Sequence, residues 1–171
     1  AGAGVSRAFE LSEPERVIVG TIGEVGRRMF FLQAREGNEL LTVKLEKQQV
    51  GALAESLGRL LQDLPRPDHL PEDAELGLET FEEASFVGGT LAVAYDAALD
   101  RVVVLAEELV GEGDEGDEAR LSLSREQAAS LAVRGTLLVE AGRPPCPLCG
   151  YPIDPRGHAC PRTNGHRPPL T

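Results

Sequence analysis

Two stretches of this chain run through the same succession of apolar and polar positions. In the first, Gly20-Thr21-Ile22 is followed by Phe30-Phe31-Leu32-Gln33-Ala34-Arg35-Glu36 and by Leu41-Thr42-Val43-Lys44-Leu45. Leu41, Val43 and Leu45 share one side and Thr42 and Lys44 the other, the alternation of a half-buried strand. The period then lengthens. Val50, Leu53, Ala54, Leu57, Leu60 and Leu61 fall at i, i+3, i+4, i+7, i+10 and i+11, one apolar stripe along a helix over 47–61.

The second stretch repeats this order. Gly89-Thr90-Leu91, then 103–108, then Leu121-Ser122-Leu123 read as strands, and 125–139 reads as a helix. Ala128, Leu131, Ala132, Gly135, Leu138 and Val139 take the same steps as the first stripe. Ser124 with Gln127 three residues on is a capping-box signature; Glu46 and Gln49 hold the equivalent places with poorer capping chemistry. Gly37-Asn38 and 98–100 predict hairpin turns.

The expected fold class is therefore α+β: two β-β-β-α repeats related by a pseudo-twofold, with a small C-terminal zinc knuckle. The repeat domain is assigned to 5–141, with copies at about 16–63 and 86–141, and the tail to 142–171. The proline-rich 64–71 segment between the copies predicts a surface connection, because proline fits neither helix interiors nor central strands. Pro144-Pro145 closes the second helix.

Charge separates the two parts. The chain carries −11. The segment 142–171 holds Arg143, Arg156, Arg162 and Arg167 against Asp154, a net +3, which leaves −14 on the body. So acidic a body repels phosphate backbones, and nucleic acid is an option for the tail alone. No run reaches the roughly 18 apolar residues of a membrane helix, and no charged-then-apolar leader is visible. Ala1-Gly2-Ala3-Gly4 reads as a frayed end or a cloning scar. The expectation is a cytoplasmic protein with no membrane partner.

The tail carries the most specific chemistry. All three cysteines lie within 15 residues, in Cys146-Pro147-Leu148-Cys149-Gly150 and Gly157-His158-Ala159-Cys160-Pro161. A Cys-x-x-Cys-Gly turn lets two thiolates converge while backbone amides point at the sulfurs, and zinc requires four such ligands in a tetrahedron. Cys146, Cys149 and Cys160 supply three. The fourth is His158, in a glycine-led turn that mirrors the first knuckle, with His166 as the alternative. A redox pair at Cys146 and Cys149 explains neither Cys160 nor the histidines, and free thiols or an iron–sulfur site are the remaining readings. Four protein ligands leave no open position for an activated water, so the expected Zn2+ is structural.

Phe30-Phe31-Leu32-Gln33-Ala34-Arg35, Leu45-Glu46-Lys47-Gln48-Gln49-Val50, the segment from Gly142 to Gly150, Gly157-His158 and Cys160-Pro161-Arg162 together resemble a family of conserved actinobacterial proteins of unknown function. The resemblance spans Val17 to Arg167 and is most specific around the cysteines. It implies a setting beside a kinase-like protein and a histidine-phosphatase-like protein, either of which would be a candidate partner. It supplies no activity.

Each enzyme-like motif has a plainer reading. Gly20, Gly23 and Gly26 suggest a phosphate loop, but such loops lead directly into a helix, and 27–35 reads as a strand. The acids of 111–118 lack EF-hand spacing and read as a solvated run. His69 has no nucleophile context. Arg27, Arg28 and Arg35 could hold an anion or be the solvent side of a hairpin. No catalytic residue is assigned. The expected function is an adaptor, an acidic body presenting a zinc-ordered basic tail to a protein. Nucleic-acid binding by the tail is one alternative, and an enzyme or ligand site in the cleft between the copies is another.

Overall fold

A computed structural model describes residues 6–24, 26–67 and 77–141. In chain order the elements are β1 (Ala8–Leu11), β2 (Arg16–Ile22), β3 (Met29–Glu36), β4 (Glu39–Leu45), α1 (Lys47–Gln62), β5 (Phe86–Asp96), β6 (Arg101–Glu108), β7 (Glu118–Leu123) and α2 (Arg125–Glu140). The seven strands form one sheet in the order β1-β7-β6-β5-β4-β3-β2, so the class is α+β.

The alternation read from the sequence decides which side of each strand is buried. Val19, Leu32 and Val43 lie across from one another in register, and Val43 continues to Phe86. In the other half, Val102, Val104 and Ala106 of β6 face Leu123, Leu121 and Ala119 of β7. These residues join Val50, Leu53 and Leu57 of α1 and Ala128 and Leu131 of α2 in a single core. The two helices pack on each other where Gly135 approaches Ala54 and Val50: a Cβ on Gly135 would sit 3.1 Å from the Ala54 Cβ.

The pseudo-twofold is corrected by the strand directions. A twofold perpendicular to the sheet would set equivalent strands side by side and antiparallel. Instead β4 pairs with β5, and the pairing is parallel. β5 enters beside Val43, near the end of β4, after α1 and the segment that ends at Ser85, and runs on in the same sense.

The sheet is strongly curled. Laid flat, the outer strands β1 and β2 would stand about 29 Å apart, six spacings of a β-sheet. Yet Leu11 ends β1 and Arg16 begins β2, and the chain between them reaches at most about 18 Å. The two outer edges are therefore bent toward each other. Gln127, at the start of α2, donates its Nε2 to the Pro14 carbonyl at 2.8 Å and fixes α2 to this short connection.

Both helix starts are capped as the sequence implies. Ser124 Oγ accepts the Gln127 N–H at 3.1 Å, and Gln127 Oε1 accepts the Ser124 N–H at 3.0 Å. At α1 the Gln49 side-chain Oε1 accepts the Glu46 N–H at 2.7 Å. Gln49 Nε2 also reaches across to the Gly88 and Gly89 carbonyls, at 3.1 and 2.8 Å, where β5 is irregular in its pairing with β6.

The turn between β5 and β6 ends on Asp100, at φ 51°, a left-handed conformation that aspartate tolerates. Its carboxylate accepts the Tyr95 hydroxyl at 2.7 Å and pairs with Arg125 at 3.3 Å. The hydrogen bond to Asp100, reinforced by the charges of Asp100 and Asp96, raises the Tyr95 pKa above its ordinary 10.0. A raised phenol pKa favours the fold below the ordinary value, and that contribution fades as pH climbs through the folded-state value. In an alkaline ultraviolet titration with Tyr151→Phe to isolate Tyr95, Asp100→Asn is expected to bring the phenolate transition down toward pH 10. An unchanged midpoint would contradict this account of the shift.

Candidate functional site

The metal ligands expected from the sequence, Cys146, Cys149, His158 and Cys160 with His166 as alternative, lie outside the described residues, as does His69. Among the described residues no three His, Cys, Asp or Glu side chains converge as a metal site. No described helix is long and apolar enough to cross a membrane.

On the side of the sheet away from the helices, the segment from Gly77 to Ser85 crosses β2, β3 and β4 and is held by a polar clamp. Gln33, only 2% exposed, uses its amide as a strand would use its backbone. Its Oε1 accepts the Glu79 N–H at 2.7 Å, and its Nε2 donates to the Glu79 carbonyl at 3.2 Å and to Thr42 Oγ1 at 3.1 Å. Arg35 Nε donates to both Glu79 carboxylate oxygens at 2.7 and 2.9 Å. Arg16 adds an ion pair to Glu79 at 3.4 Å and donates to the Gly77 carbonyl. Phe81 lies edge-on to Phe31 at 4.9 Å, and Leu78 packs on Gly20, where a Cβ would come within 2.7 Å. Apart from Arg16 Nε, buried without a hydrogen-bond partner among the described residues, these groups are paired with one another, so the cluster is a fastening.

Arg27, Arg28 and Arg35 do not form one site. Arg35 belongs to the clamp, whereas Arg28 lies seven residues back, about 23 Å along a strand. Gly23 and Gly26, both at positive φ, belong to the connection from β2 to β3, which is the hairpin read from the sequence.

Arg28 instead lines a groove of about 430 Å³. Gly26, Met29 and Phe30 bring one wall from the hairpin, and Lys44, Leu45, Glu46 and Lys47 bring the other from the end of β4 and the start of α1. The register Phe30↔Leu45 sets the two walls opposite each other. Arg28 stacks over the Phe30 ring at 5.6 Å and donates to the Leu138 carbonyl at 3.5 Å, which orients its guanidinium. Lys44 and Lys47 form no ion pair among the described residues. The seam between the two halves, where α1 meets β5, holds a smaller groove of about 160 Å³ beside Gln49, Ser56 and Leu91.

The sequence reading noted Arg28 and passed over the two lysines. Their signal was compositional: Lys44 and Lys47 are the only lysines in the chain, beside fifteen arginines. No curated protein and no solved structure matches the chain. Residues 9–160 match the model described as a protein of unknown function, DUF3090. That match covers both halves of the sheet, both helices and the three cysteines, and the chain belongs to the DUF3090 family.

Proposed function

We propose that this chain is a zinc-stabilised interaction protein, in which α2 and the segment after it form one contact surface for a protein partner. The observation that carries this reading is the outward side of α2. Val133 and Leu137 are 50% and 57% exposed, one turn apart, in the second half of α2. Apolar side chains paired in this way on a helix suit a partner's apolar contact. The cysteine segment begins directly beyond them, and its net +3 suits acidic groups flanking that contact. In this reading Cys146, Cys149, Cys160 and His158, or His166 in its place, hold a structural Zn2+. The metal then orders a segment too poor in apolar residues to build a core. The repeated strand-strand-strand-helix order supplies the rigid body behind it.

The test is affinity capture from a source-like lysate treated with nuclease, repeated with the identified partner purified. The same partner should be lost with Leu137→Asp and with Cys149→Ser and retained with Leu99→Asp, whose parent residue is exposed elsewhere. Cys149→Ser should also lose stoichiometric zinc. A partner retained by both variants overturns the shared surface, and zinc retained by Cys149→Ser overturns the ligand set. Capture that disappears with nuclease would place the function in nucleic-acid binding by the tail.

A further inference from the structure

Three cations of the strongly acidic body line one groove. Lys44, Lys47 and Arg28 come from β4, α1 and the hairpin ahead of β3, and they meet only because the β3–β4 register brings the hairpin over the start of α1. Three cations lining one groove raise its potential locally and draw an anion toward it. With Glu46 as the single carboxylate on the lining, the groove carries +2 inside a body of −14.

We propose that this groove is a binding site for a small molecule bearing a phosphate monoester. The charge matches: a phosphate monoester carries about −1.5 to −2 at neutral pH and offers three acceptor oxygens. The donors match too. Arg28 presents a planar fork already oriented by Phe30 and the Leu138 carbonyl, and the lysines add point charges on flexible stems. About 430 Å³ is within the range of small-ligand sites, and Met29, Phe30 and Leu45 give an apolar wall for the rest of such a molecule. The design differs from a glycine-rich phosphate loop, because the charged side chains do the recognition and Gly26 only lines the rim.

The test uses the full chain, isotope-labelled, with amide shifts followed by NMR as inorganic phosphate, glycerol 3-phosphate and chloride are added separately. Saturable shifts confined to residues 26–30 and 44–47 are expected for glycerol 3-phosphate, with weaker saturation for inorganic phosphate and none for chloride. Lys44→Gln and Lys47→Gln should each weaken binding roughly tenfold, with unchanged thermal unfolding, because each removes one charge-assisted contact. Equal, unsaturating shifts with all three anions would overturn the proposal. So would wild-type affinity in a protein carrying both substitutions. Neither result bears on the partner captured through α2 and the cysteine segment, so the two readings fail independently.

Discussion

Leu57→Ala is expected to lower the unfolding free energy by about 3 kcal/mol, the centre of the range for removing a fully enclosed leucine side chain. Leu57 is 0% exposed at the middle of α1, in the core shared by sheet and helices. Removing its branched end loses the transfer energy of the buried atoms. It also leaves a cavity that a helix packed against both the sheet and α2 cannot close by shifting without opening another contact. For a body of this size the midpoint of thermal unfolding should fall by about 6–12 °C. Leu99→Ala is the matched control: Leu99 is 69% exposed on the β5–β6 turn, and its loss should change stability by less than about 0.5 kcal/mol. Similar unfolding curves for the two variants would show that the core is not centred where the structure puts it.

The second large effect is expected at Glu79. Glu79→Ala removes the carboxylate that pairs with both Arg35 and Arg16, whose side chains are only 30% and 16% exposed. Two cations then remain beside the sheet with reduced access to water. Breaking a buried pair costs several kcal/mol, but these groups keep some solvent, and about 2 kcal/mol is the appropriate expectation. The loss should be local first. Gln33 still holds the backbone of residue 79, yet the crossing segment loses its strongest anchor. Glutamate-specific proteolysis at Glu82 and Glu83 should accelerate well before global unfolding. Cleavage at the wild-type rate would show that the amide of Gln33 suffices.

Much of this architecture was legible because burial enforces a period. Among the described residues, six of the seven strands and both helices were visible in alternating or helical spacing, and Ser124 marked the start of α2 correctly. What escaped has specific causes. β1 is four residues, too short to establish a period, and it is fixed by pairing with a strand far along the chain. β5 runs from Phe86, three residues earlier than its glycines suggested, because Gln49 satisfies the carbonyls at its irregular step. The parallel pairing of β5 with β4 depends on the path the chain takes between Gln62 and Phe86, which no residue spells out. The clamp had a faint signature, since Gln33 and Thr42 interrupt an apolar pattern at positions that prove to be in register. The groove's cations are separated by 16 and by three positions in sequence, and only the hairpin joins them.

The seat of β1 sets a timetable for folding. Arg7 and Asp117, hydrogen-bonded at 2.8 Å, are 110 residues apart, and β1 lies parallel to β7 along its whole length. Almost the entire body must exist before the first strand has anywhere to go. Closing so long a loop is slow, and a mixed topology with such distant pairing folds far more slowly than a helical bundle of its size. In the interval the free edge of β7 presents unpaired backbone groups to any other chain nearby. Its tendency to aggregate is therefore concentrated in the last step of folding, when β1 must arrive before a stranger does.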